Sequence, residues 1–194
     1  DSMSHFFAYM ARMKHIQRWG LMRCSQEENV QEHSLQVAMI AHCLATIENQ
    51  RYGGCFNAEH VMALAVFHET AEVITGDLVT PVKYFNQTIA KAYKQVENIA
   101  EEKMIGMLPQ EMQNVYRPLI QPQEEAEKRL VKAADKLAAY AKCVEELKMG
   151  NMEFSKAKES VLRSIHAMHV ASAEDFLEEY MPSFSITLDE LNEN

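Results

Sequence analysis

The spacing of the apolar residues restricts this chain more than any other feature. Long segments repeat hydrophobic residues at helical period, and the strict alternation of a half-buried strand is nearly absent. Only six glycines and five prolines punctuate 194 residues, so few positions can interrupt those segments. The pattern predicts an all-α protein, with helices over residues 5–18, 29–48, 58–74, 82–107, 109–119 and 123–148 and one or two more over 152–180. Asn29 is the expected N-cap of the second helix, with Glu32 three residues on in a capping-box arrangement. Gly76 and Gly150 stop the third and sixth helices, and Pro81 opens the fourth. No internal repeat or linker divides the sequence. Residues 1–194 are therefore expected to form one domain, a bundle of about seven or eight helices.

A formal net charge of −9 argues against binding to polymeric nucleic acid, whose phosphates need a Lys/Arg surface. It leaves room for a small anion, because one arginine and a metal ion can reverse the sign locally. Cys24, Cys43, Cys55 and Cys143 form no C-x-x-C pair. This usage suits a reducing compartment, and a cytoplasmic location is expected. No apolar run is long enough to span a membrane and no signal peptide is recognisable, so no membrane partner is expected.

Three helices carry residues that break the apolar rule. His33 lies three after Val30 and four before Val37, on the stripe that continues through Ile40, Ala41 and Leu44. His68 follows Leu64 by four, and Glu72 follows His68 by four, which places both on one helical face. Asp135 falls between Val131 and Ala138. A lone histidine on such a stripe is commonly a hydrogen-bonded core residue, and a lone aspartate commonly caps a neighbouring helix. Two histidines and two carboxylates aimed inward from three helices are a different matter. Burying unpaired carboxylates costs several kcal/mol each, which a divalent cation offsets. Imidazole with carboxylate suits one divalent transition ion, among Co, Mn, Fe, Ni, Cu or Zn. His42, nine after His33, falls near the opposite side of its helix, and His5, His15, His60, His166 and His169 have no carboxylate at ligand spacing; all read as surface or core.

Three stretches resemble the motifs of HD-domain phosphohydrolases. Glu28-Asn29-Val30-Gln31-Glu32-His33 resembles the first-histidine motif, Phe67-His68-Glu69-Thr70-Ala71-Glu72 the H-D-x-x-E motif, and Ala133-Ala134-Asp135-Lys136 the distal-aspartate motif. With Gly76-Asp77-Leu78 and Pro182-Ser183-Phe184 the resemblance covers almost the whole chain, and within the family it is strongest to bacterial 5′-deoxynucleotidases. It implies an enzyme that removes phosphate from deoxyribonucleoside 5′-monophosphates with little choice of base, and that works as a homodimer. It implies His33, His68, Glu69 and Asp135 as metal ligands, with Glu69 and Asp135 also next to the substrate. Glu72 would activate the attacking water. Arg18 would orient the phosphate, and reads equally well as a cation at a helix C-terminus. Trp19 would wall off the sugar and exclude a 2′-hydroxyl, and reads also as a core aromatic. Asp77, Leu78, Val79 and Thr80 would contact the sugar.

The chain departs from the family pattern twice. Glu69 stands where the family has aspartate, and Val79 replaces a proline. The extra methylene adds about 1.5 Å of reach. The longer side chain is expected to handicap the metal site, so that Glu69→Asp would tighten metal binding and raise turnover; the alternative is a pocket adjusted to glutamate, with Val79 as one compensation. Competing readings are an HD phosphohydrolase acting on another small phosphate ester or cyclic nucleotide, and a nucleotide-binding protein in which Glu69 has ended catalysis.

Overall fold

The computed structural model describes residues 2–79 and 83–193. Among them the regular elements are all helical, and the single β-type pairing is an isolated antiparallel bridge between Gln17 and Asn29. In chain order the α-helices are α1 (Phe6–Met10), α2 (Val30–Arg51), α3 (Ala58–Val66), α4 (Glu72–Thr75), α5 (Gln87–Gly106), α6 (Gln110–Ile120), α7 (Glu125–Lys148), α8 (Ser155–Met168), α9 (Ala171–Glu179) and α10 (Leu188–Leu191). Short 3-10 turns occupy Ala11–His15, Met152–Phe154 and Met181–Ser185. Among the described residues no helix is long and apolar enough to cross a membrane.

Local chemistry sets the helix ends. The side chains of Asn29, Asn57 and Asn86 accept the N–H of Glu32, His60 and Ile89 at the starts of α2, α3 and α5. Each cap satisfies one amide that has no intrahelical partner. The expected capping box at Asn29 is half formed, because Glu32 Oε1 takes the Asn29 side-chain amide at 2.5 Å. Gly150 ends α7 at φ +85°, a conformation open to glycine without steric cost. The apolar run over 152–180 is divided by His169, whose left-handed backbone ends α8. Val82 and Pro81, at the expected start of the fourth helix, lie outside the described residues.

Two long helices, α2 and α7, form the centre. They pack on one another, α3 and α9 lie against α2, and α8 lies against α7. Their contact is rich in small side chains, with Ala38, Ala41, Ala134, Ala138 and Ala141 nearly or fully buried. Small residues let the backbones come close. Leu44, Leu64 and Leu137 fill the space between them, each contributing about 1.5–3 kcal/mol of burial. A satellite core of Phe6, Met104, Ile105, Leu108 and Ile120 packs α1 against the α5–α6 end.

Two expected helices are broken. The first ends at a 3-10 turn, and Ile16 turns the chain into extended backbone at φ −96°, ψ 108°. Arg18 therefore lies in the bend that follows the Gln17–Asn29 bridge, its N–H donating to Glu28 O, and not at a helix C-terminus. The third stops at Val66, and residues 67–71 wind more tightly than an α-helix. His68 N–H bonds Ala65 O, Thr70 N–H bonds Phe67 O, and Glu72 N–H bonds Glu69 O, all three residues back. Such winding turns each residue about 120° and not about 100°. His68 and Glu72 consequently do not share one helical stripe.

Candidate metal centre

His33 enters from the first turn of α2 and is fully buried. Asp135 comes from the middle of α7, and the close approach of the two helices leaves His33 Nε2 2.6 Å from Asp135 Oδ1. His68 and Glu69 come from the tight turn after α3. His68 Nε2 lies 2.9 Å from Glu69 Oε1 and 3.4 Å from Asp135 Oδ1. One donor atom from each of the four residues falls within 4.8 Å of every other. The residues read from the sequence as a ligand set are thus brought together, Glu69 included.

His68 Nδ1 donates to Ala65 O at 2.5 Å, which fixes the ring and makes Nε2 the atom turned into the cluster. That Nε2 is buried and without a hydrogen bond despite its short contacts, and His33 Nδ1 is also unpartnered. Buried polar atoms are seldom left so. Imidazole nitrogen and carboxylate oxygen converging in this way fit a divalent transition ion.

Electrostatics agree with a cation-seeking pocket. Burial works against the His68 charge, but Glu69 and Asp135 hold its pKa well above the usual imidazole value. Burial would raise the Glu69 carboxyl, and His68 beside it brings it down to about 2. Asp135 is likewise held well below the carboxylate range against its burial, chiefly by the His33 and His68 imidazoles beside it. Glu72 is buried on α4 with one oxygen unpartnered. Burial first, then the neighbouring Glu69 carboxylate, push it up to about 11. Asp77 is raised by burial, with Arg18 opposing. Carboxylates at 69, 72, 77 and 135 thus crowd a space that Arg18 and Lys83 partly offset.

Arg18 and Trp19 border the same space. Burial opposes the Arg18 charge, and Asp135, Glu28, Glu69 and Asp77 more than offset it. Glu28 Oε2 accepts from Arg18 Nε at 3.3 Å and from the Trp19 indole N–H at 2.8 Å. Trp19 has φ +60°, a left-handed conformation uncommon for a bulky residue. Its ring meets the edge of Phe154 at 5.3 Å. Asp77, Leu78 and Val79 are half-buried, and Val79 Cγ1 approaches Gly20, the neighbour of Trp19. Thr80 lies outside the described residues.

Sequence reasoning overlooked Glu28 as a site residue, although it stands in the first-histidine motif. Its signal was a carboxylate immediately before an N-cap, with Arg-Trp ten residues upstream, and no helical phase connects the two. His60 and His166, expected to lack carboxylate partners, do meet Glu127 at 3.7 Å and Glu174 at 2.8 Å. The His166 pair is largely exposed and the His60 pair half-buried, and neither belongs to the donor cluster.

Fold and cluster together define the class: the chain is an HD-domain phosphohydrolase. A solved HD-domain phosphohydrolase from Listeria innocua superposes with a TM-score of 0.81 at 26% identity, over 93% of this chain and 88% of the other. A cyanophage S-2L HD phosphohydrolase, bound to dA and one catalytic zinc ion, shares the fold at a TM-score of 0.65 and 17% identity, over 93% and 96% of the two chains. Within this class residues 5–184 match the model of the 5′-deoxynucleotidase YfbR-like family, and the chain belongs to that family. The 5′-deoxynucleotidase YfbR of Escherichia coli O127:H6 is 50% identical over 193 residues, covering 98% of this chain and 97% of its own. A 5′-deoxynucleotidase of Cronobacter sakazakii is 50% identical over 195 residues, covering 100% and 98%.

Proposed function

We propose that this chain is a 5′-deoxynucleotidase, hydrolysing deoxyribonucleoside 5′-monophosphates to the deoxynucleoside and phosphate with little base preference. The observation that carries the substrate class is 50% identity along nearly the whole length of chains named for that activity. His33, His68, Glu69 and Asp135 would hold one divalent ion, with Co, Mn, Fe, Ni, Cu and Zn all compatible with the donor set. When bound, such an ion polarises a phosphate oxygen and lowers the pKa of a bound water.

The remaining steps belong to the chain itself. Arg18 commits Nε to Glu28, which leaves the two terminal nitrogens of its fork for phosphate oxygens. Trp19 stands against the sugar, and the Asp77–Val79 segment beside it continues that wall. Glu72 takes the proton of the attacking water. Its carboxyl is pushed up to about 11 by burial and by Glu69, and a cation among these carboxylates would relieve that pressure and free it as a base. A homodimer acting in the cytoplasm on this small-molecule substrate, without polymeric nucleic acid or membrane, completes the proposal.

Phosphate release from deoxyribo- and ribonucleoside 5′-monophosphates, together with cyclic nucleotides, tests the reading. Turnover of the four deoxyribonucleotides at similar rates, with ribonucleotides largely rejected, is expected. Preference for a cyclic nucleotide, or equal turnover of both sugars, would replace this substrate class with another.

A further inference from the structure

One carboxylate oxygen joins the side chains proposed to read phosphate and sugar. Glu28 Oε2 accepts from Arg18 Nε at 3.3 Å and from Trp19 Nε1 at 2.8 Å. This is no surface ion pair, since the side chains of Arg18 and Glu28 are only 15% and 12% exposed. The backbone reinforces the contact: Arg18 N–H donates to Glu28 O at 2.8 Å, and Val30 N–H donates to Ile16 O at 2.9 Å. Glu28 is itself fixed on both sides. Asn29 after it caps α2, whose first turn carries His33. Before it, the N–H groups of Ser25 and Gln26 donate to the buried Glu146 at 2.8 and 3.1 Å.

Apart from Glu28, Trp19 meets the Arg18 guanidinium with its ring at 5.8 Å, and its carbonyl accepts the Met22 N–H at 2.8 Å. Its left-handed backbone is unfavourable for a bulky residue, and its ring is half-buried with an edge contact to Phe154. Arg18 stands among Asp135, Glu69 and Asp77, any of which its fork can seek if Nε is released. An arginine drawn onto those carboxylates no longer offers its fork to phosphate.

We infer that Glu28 is the positioning residue for substrate selection, holding Arg18 towards the phosphate and Trp19 against the sugar through a single carboxylate oxygen. The inference rests on the 5′-deoxynucleotidase reading and assigns the sugar discrimination of that site to a side chain that touches no substrate. The two tasks separate chemically. An amide at position 28 can still accept the indole N–H but carries no charge for the guanidinium. An alanine does neither.

The test uses E28Q and E28A beside the wild type, each loaded with the divalent ion that supports wild-type turnover. The readouts are kinetics on deoxyadenosine and adenosine 5′-monophosphate, and the fluorescence anisotropy and acrylamide quenching of Trp19, the chain's only tryptophan. E28Q should raise KM for both sugars by roughly 10- to 100-fold, the usual worth of a hydrogen bond to a charged group, while keeping the wild-type sugar ratio and Trp19 anisotropy. E28A should show the same rise in KM, lose most of the sugar ratio, and show lower anisotropy with easier quenching. A wild-type sugar ratio and anisotropy in E28A would overturn the inference while leaving the substrate reading intact. Equal loss of the ratio in E28Q and E28A would overturn the division of tasks, and the near-isosteric amide keeps this arm alive if E28A does not fold. A wild type without sugar preference overturns the substrate reading instead, and unchanged Trp19 mobility in E28A would then overturn the positioning role by itself.

Discussion

At the scale of single residues, the side chains at the centre differ in how far the sequence exposed them. His33 and Asp135 were visible because each interrupts an apolar stripe on a long, regular helix. His68 was visible for the same reason, but the face assigned to Glu72 was not, because residues 67–71 leave the α-helix without a glycine or proline to announce it. Glu28 was hidden altogether, since its partners Arg18 and Trp19 are reached through a bridge between two irregular segments. The structure also bears on Glu69. Its Oε1 already lies 2.9 Å from His68 Nε2, inside the donor cluster, with the tight turn setting where its longer side chain starts. Glu69→Asp is therefore expected to withdraw the oxygen, weaken metal binding and reduce turnover by up to about 10²-fold, the scale of a 1 Å misplacement. Metal titration and phosphate release on that variant check this, and tighter binding with faster turnover would mean that glutamate handicaps the site. Glu72→Ala should keep stoichiometric metal and nucleotide binding but lose roughly 10²–10⁴ in rate. Loss of the metal from that variant would make Glu72 a ligand.

At the scale of elements, the segment between Arg18 and Val30 has no helix of its own and depends on α7. Glu146 is fully buried, takes Lys142 Nζ at 2.7 Å and Asn151 Nδ2 at 2.9 Å, and holds the Ser25 and Gln26 amides. Lys142 in turn donates to Gln26 O. Burial alone would raise the Glu146 carboxyl, but these donors bring it down to about 2. A depressed carboxyl stabilises the fold fully above its unfolded pKa, about 4.3, and that contribution fades as pH falls towards about 2. Glu146→Ala leaves Lys142 buried without its partner, and should cost about 3–5 kcal/mol at pH 7. Denaturant melts of both proteins at pH 7 and pH 3 check this, with the gap between them narrowing at the lower pH. A constant gap would place the stabilisation in packing and not in charge. The sequence showed Lys142 and Glu146 one turn apart on α7, a spacing typical of a solvated pair. Nothing in that spacing told that the 23–28 segment closes over them.

For the whole molecule, the all-helical class was legible because periodicity, sparse glycine and sparse proline agreed along the chain. Where boundaries shifted, as at residues 15–18 and 67–71, tertiary pairing and tight turns overrode local pattern. Four inward polar donors at the meeting of α2, α7 and the 67–71 turn carry a stability cost that a cation removes. A divalent ion at 100 times its Kd adds about 2.7 kcal/mol to folding. For a chain of this size that raises Tm by roughly 5–11 °C. Calorimetry with and without metal, repeated on His33→Ala, checks this. An equal rise in the variant would locate the ion elsewhere.

The donors at positions 33 and 135 stand 102 residues apart in the chain. As the polypeptide leaves the ribosome, the first histidine emerges with α2 long before α7 exists to meet it. A nascent chain that ends short of α7 holds at most three of the four groups and lacks the helix that aligns them. A truncated product of interrupted translation then cannot assemble the four-donor cluster, and the hydrolysis proposed for it would wait until synthesis has passed the second of the two central helices.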